Sequence, residues 1–67
     1  MDIVTLDQVR EGDTIEIPID GKDKAVKVEY NRARGSRCEV GVKVGLLSYA
    51  WDHEADTEVF VLARGAK

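Results

Sequence analysis

The amino-acid sequence predicts a small all-β domain, folded as a barrel of about five strands. Three observations indicate this class. The chain has only 67 residues, several short segments alternate apolar with polar side chains, and turn-forming residues separate those segments. No segment has helical periodicity beyond one turn. A sheet of such short strands must close or fold over itself to bury one face and protect its edges, which favours a barrel.

The chain is predicted to begin with a short strand and a turn. Residues 1–5 are a candidate strand, and residues 6–11 form one helical turn or an irregular loop. Gly12-Asp13 then marks a turn. The next predicted strand alternates β-branched residues with other side chains. Its regularly spaced isoleucines are Ile15, Ile17 and Ile19.

A hairpin is predicted next, because Asp20-Gly21 is a strong two-residue turn signal. The strand after it carries a Val-x-Val-x-Tyr pattern at residues 26–30. Residues 31–36 are predicted to form the following turn, in which Gly35 is free to take a positive φ.

The second half of the chain holds three more segments with strand patterns, at residues 38–44, 46–51 and 57–63. Gly45 separates the first two, and a polar turn at residues 52–56 separates the second from the third. Residues 64–67 are expected to form a loose tail. A chain of this length is predicted to fold as one domain, spanning residues 1–67.

The segment from Val9 to Ile15 reads V-R-E-G-D-T-I and resembles the opening of KOW-type and related SH3-like barrels. The Asp20-Gly21 hairpin fits the same pattern. Trp51 and the closing A-D-T-E-V-F-V at residues 55–61 are similar to features of short hypothetical proteins of actinobacteria and their phages. The resemblance implies an SH3-like barrel and an accessory protein of a bacterial cell or a phage-infected host.

Residue types that carry catalysis or bind metals are scarce, since the chain has one cysteine and one histidine. Cys38 lies in an alternating strand pattern and is predicted to be a small buried hydrophobe. His53 lies among carboxylates in a predicted turn, where a single imidazole is poor evidence for a metal site. The prediction is therefore a protein that is not an enzyme and that uses no cofactor or metal.

The charges are unevenly distributed, although the net charge is only −3. Residues 22–37 hold six bases and two acids, a local balance of +4. Within them, N-R-A-R-G-S-R at residues 31–37 is a predicted arginine loop that could hold phosphate oxygens. The predicted nucleic-acid-binding residues are Tyr30, Arg32, Arg34 and Arg37. Nucleic-acid binding is the alternative rather than the leading function, because the acidic chain opposes phosphate affinity.

The leading functional prediction rests on the last strand, which is apolar on both faces. If the valines of residues 59–61 point inward, the side chains between and after them point outward and form an exposed patch. The predicted protein-contact residues are Leu46, Phe60 and Leu62. Such a patch favours a protein partner or a homodimer. The competing interpretation is that Ile3 and Leu6 of the N-terminal segment cover it.

The sequence contains no segment of about 18 apolar residues that could span a bilayer. Its N-terminus also lacks the apolar run of a secretory signal. The expected location is therefore the cytoplasm, with no membrane partner.

Overall fold

A computed structural model describes residues 2–65 and shows one antiparallel sheet of six strands. The strands are β1 (Asp2–Thr5), β2 (Thr14–Ile19), β3 (Lys22–Arg34), β4 (Arg37–Val44), β5 (Leu47–Glu54) and β6 (Glu58–Ala63). A single 3₁₀ turn, Leu6–Gln8, follows β1. The predicted all-β class is confirmed.

The strand order across the sheet is β1-β6-β2-β3-β4-β5. The sheet therefore has two ends, β1 and β5, and it does not close as the predicted five-stranded barrel would. The pairing between β2 and β6 is also short. These strands pair only over Thr14–Glu16, and the rest of β2 pairs with β3 alone among the described strands.

The core lies on one face of the curled sheet and follows the predicted alternation. Its buried residues are Leu6, Val9, Ile15, Ile17, Val26, Val28, Cys38, Val40, Val42, Val59 and Val61. Leu6 and Val9 come from the irregular segment between β1 and β2, so this segment closes one side of the core. The Asn31 side chain fixes the segment by donating hydrogen bonds to the carbonyl oxygens of Leu6 and Val9, at 2.9 and 2.8 Å.

Strands β2, β3 and β4 are each joined to the next strand by a two-residue turn. Asp20 and Gly21 both have positive φ, 52° and 78°, the pattern of a type I′ hairpin turn. Gly35-Ser36 and Gly45-Leu46 form the other two turns, and in each the glycine takes the positive φ. The predicted Asp20-Gly21 hairpin is confirmed.

Two predicted turns are much shorter than expected. The predicted arginine loop at residues 31–37 is a hairpin end, because β3 continues to Arg34 and β4 begins at Arg37. Gly35 makes this possible, since its positive φ allows a two-residue connection. The predicted polar turn at residues 52–56 is also shorter than expected, because β5 continues to Glu54.

The segment after β6 is anchored to Asp13, which is buried at 1% exposure. The Arg64 guanidinium and the Gly65 N–H donate hydrogen bonds to the two Asp13 carboxylate oxygens, at 2.9 and 2.8 Å. Arg64 and Gly65 are thus held in place rather than loose, which corrects the expectation for half of the predicted tail. Ala66 and Lys67 lie outside the described residues.

Candidate binding surfaces

The outer side of β1 and β6 carries an apolar patch, here called the apolar face and defined as Ile3, Phe60 and Leu62. Val59 and Val61 point into the core, so the residues beside them point outward. Phe60 is 41% exposed and Leu62 is 36% exposed. Ile3 pairs directly with Phe60 and is itself 59% exposed. Cross-strand partners lie on the same side of a sheet, so Ile3 enlarges the patch.

Within the described part of the N-terminal segment, residues 2–6, no side chain buries this face. Leu6, which could have shielded it, is fully buried in the core. Leu46 was predicted to lie beside Phe60 but lies elsewhere, in the turn between β4 and β5. It is 96% exposed there, and β2 and β3 lie between β4 and β6 in the sheet. The structure therefore brings together Phe60 and Leu62, with Ile3, but not Leu46.

The three predicted phosphate-binding arginines lie at the β3–β4 hairpin and face carboxylates. Arg34 forms an ion pair with Glu39 at 2.8 Å, and Arg37 forms one with Asp52 at 2.9 Å. Glu39 is the direct cross-strand partner of Arg32. Positive and negative side chains therefore alternate on this outer surface, which is not a basic patch.

Tyr30 lies flat within this charged surface. Its hydroxyl donates a hydrogen bond of 2.7 Å to Glu39, and the Arg32 guanidinium lies 5.4 Å from its ring centroid. The hydrogen bond raises the pKa of Tyr30 and lowers the pKa of Glu39, to which Arg34 also donates. Glu39 therefore stays ionised and keeps neutralising the arginines.

A groove that the sequence did not reveal lies between β5 and the second half of β2. It consists of two adjoining cavities of about 310 and 250 Å³ that share Pro18 and Trp51. We call it the β2–β5 groove. Its lining residues are Glu16, Ile17, Pro18, Ile19, Asp20, Asp23, Val42, Tyr49, Ala50, Trp51, His53, Thr57, Glu58, Val59 and Phe60.

The aromatic wall of the groove belongs to β5. Tyr49 and Trp51 are paired with the buried Val42 and Val40, so they face the same side of the sheet as the core. His53 continues this row and packs against Trp51, with ring centroids 4.2 Å apart and the ring planes tilted by 40°. Since β5 ends the sheet, these rings are only partly covered. In the sequence, the alternating rings at residues 49, 51 and 53 indicate this aromatic wall. The turn predicted at residues 52–56 hid the pattern, because it placed His53 outside the strand.

The thiol of Cys38 takes no part in these surfaces. Cys38 is buried in the core, as predicted. Burial raises the pKa of the thiol, and the negative charges of Asp7 and Asp52 raise it further. The neutral thiol is therefore the dominant form at neutral pH, which makes it a poor nucleophile.

Within residues 2–65, no three His, Cys, Asp or Glu side chains come together as a metal site requires. The same residues form no helix long and apolar enough to cross a bilayer. Comparison with protein-family models, with curated proteins and with solved structures finds no match for the chain.

Proposed function

We propose that the protein is a non-enzymatic accessory protein that acts through protein–protein contact, and specifically through self-association on the apolar face. The observation that carries this proposal is the outward alignment of Ile3, Phe60 and Leu62 on neighbouring strands at one end of the sheet. A homodimer that covers this face would add apolar burial to a domain whose own core is small.

The proposal that the protein is not an enzyme is supported by the state of its one thiol. Because Cys38 is buried and the pKa of its thiol is raised, the thiol is a poor nucleophile. We further propose that the curled sheet is an SH3-like barrel left open between β2 and β5. We propose that it acts in the cytoplasm of a bacterial cell or a phage-infected host, as the resemblance of its sequence implies.

Sedimentation velocity over a range of concentrations tests self-association. We expect the wild type to reach twice the monomer mass, and Phe60→Glu to remain monomeric because it places a charge in the covered face. The matched control is Leu46→Glu, which introduces the same charge at a more exposed apolar residue away from the apolar face. Circular dichroism checks that both variants fold. A wild type that stays monomeric at high concentration would overturn the proposal.

Nucleic-acid binding is the alternative, favoured by the placement of Tyr30, Arg32 and Arg34 along the outer side of β3. The ion pairs of Arg34 and Arg37 weigh against it, because those guanidinium groups already have carboxylate partners. Phosphate binding would weaken steeply with salt. A mobility shift at low salt that Arg34→Ala reduces across sequences would support this function, and the lack of any shift would exclude it.

A further inference from the structure

We infer that the β2–β5 groove binds an extended polypeptide segment in which lysine or arginine alternates with apolar residues. The segment would lie along β5 as an additional strand. The groove adjoins the apolar face, since Phe60 contributes to both, but Ile3 and Leu62 do not line the groove.

The first support is the unpaired edge of β5. Among the described strands β5 pairs only with β4, so its other edge presents backbone N–H and C=O groups without strand partners. Residues Ile17–Ile19 of β2 likewise pair only with β3. These two stretches line the groove from opposite sides. An exposed edge of this kind is a template for strand addition, in which main-chain hydrogen bonds supply affinity.

The second support is the chemistry of the groove. Four carboxylates line it, those of Glu16, Asp20, Asp23 and Glu58. Within the described residues no lysine or arginine lines either cavity. The groove therefore has a negative rim without an internal counter-charge, which is complementary to a basic ligand.

The third support is the aromatic wall beside these carboxylates. Trp51 lines both cavities, and Phe60 and Tyr49 each line one. A cation over an aromatic face is attracted by the ring quadrupole, and tryptophan is the best such partner. The same rings also offer apolar surface. Side chains of an extended segment alternate between two sides. A segment of alternating basic and apolar residues therefore matches both the carboxylates and the apolar ring surface of the groove.

The test uses a synthetic peptide of eight residues, the length of β5, in which lysine alternates with valine. Trp51 is the single tryptophan of the chain, so its fluorescence reports on the groove directly. We expect a saturable change in fluorescence that weakens as salt is added. Amide shifts of β5 measured by NMR should change in the same titration.

Two control peptides separate the contributions to binding. A glutamate–valine peptide should not bind, because its charges face the four carboxylates. A lysine–valine peptide with alternate backbone amides methylated should bind more weakly, because it cannot donate to β5. Equal binding of the glutamate peptide would overturn the inference, as would the lack of a saturable change with the lysine peptide at low salt.

A pair of double variants tests the location of the site. Asp23→Asn with Glu58→Gln should weaken binding of the lysine peptide about fivefold, the sum of two partly exposed ion pairs. Asp2→Asn with Glu29→Gln makes the same change in net charge away from the groove and should leave affinity unchanged. Equal weakening by both would mean unspecific attraction and would overturn the inference.

The peptide titration is also repeated with Ile3→Glu, which alters the apolar face outside the groove. We expect this variant to bind the lysine peptide as the wild type does. Failure of self-association with intact peptide binding refutes only the proposed dimer. Intact self-association without peptide binding refutes only the groove.

Discussion

Asp13 is the only charged residue that is fully buried among those described, and its carboxylate joins two segments of the chain, residues 10–13 and 64–65. It accepts hydrogen bonds from the backbone N–H groups of Arg10 and Gly65 and from the Arg64 guanidinium. Burial alone would raise its pKa, but these donors outweigh burial and hold the pKa below its usual value. The ionised carboxylate is thus the form that stabilises the fold.

The pH dependence of stability should reveal this residue. Because the pKa of Asp13 is lower in the folded state, its contribution is present above the unfolded pKa of about 4 and is lost as the pH falls through the folded pKa. We expect Asp13→Asn to lower the free energy of unfolding at neutral pH by about 2 kcal/mol. The variant should also lose less stability on acidification than the wild type.

Urea unfolding between neutral pH and about pH 2 measures this effect. Some acid sensitivity should remain in Asp13→Asn, because the pKa of Glu39 is also lowered. Asp23→Asn, which removes an exposed carboxylate with no hydrogen bond among the described residues, is the matched control. Parallel pH profiles for the wild type and Asp13→Asn would contradict the assigned role of Asp13.

At the scale of elements, the β3–β4 hairpin depends on the pairing of Tyr30 with Gly41. The pairing shifts register between Val28 and Tyr30, which changes the alternation of β3. A Cβ atom at residue 41 would overlap the Tyr30 ring. The ring therefore occupies the space that the glycine leaves and covers its backbone, an arrangement that compensates for a glycine within a strand.

Gly41→Ala should destabilise the protein by about 1–3 kcal/mol, because the Tyr30 ring must move and lose its hydrogen bond to Glu39. In a Tyr30→Ala background the same substitution should have little effect or stabilise the strand. Chemical denaturation of the four proteins in this double-mutant cycle measures the coupling. Equal destabilisation in both backgrounds would show that the ring is not the cause.

The strands that the sequence predicted well are those with one buried face. The alternation at Ile15–Ile19 and Cys38–Val44 reflects burial directly, and Asp-Gly is a pair typical of the type I′ two-residue turn. The ends of β3 and β5 could not be predicted in this way. Residues 32–34 and 52–54 are exposed on both faces of the sheet, so burial imposes no apolar–polar alternation on them.

The candidate surfaces were predictable to different degrees. The outward direction of Phe60 followed from the alternation of β6 alone. The pairing of Arg34 and Arg37 with carboxylates could not be predicted, because the strand register alone brings Glu39 and Asp52 beside them. The β2–β5 groove depends on where two strands separate, which is a property of the whole sheet rather than of any segment.

At the scale of the whole molecule, the sheet has a doubly paired centre and two ends with one partner each. Strands β6, β2, β3 and β4 have neighbours on both sides, whereas β1 and β5 have one. The side chains of β5 are also mostly exposed. Local opening should therefore cost less free energy at β5 than at the centre of the sheet.

Amide hydrogen exchange should follow this order. We expect the slowest exchange in the paired amides of β2, β3 and β4, and faster exchange in β5. Two-dimensional NMR after transfer to deuterated buffer measures the rates, at a concentration where the protein is monomeric so that no dimer protects an end of the sheet. Protection of β5 equal to that of β3 would contradict the open arrangement.

The strand order also bears on how the chain folds as it is synthesised. The strands from β2 to β5 meet through two-residue turns, so each finds its neighbour with little loss of loop entropy. By contrast, Asp2 pairs with Val61 across almost the entire chain. On the ribosome β1 emerges before β6 and must wait for it. We therefore expect strands β2 to β5 to pair first and nucleate folding, and β1 and β6 to join the sheet last.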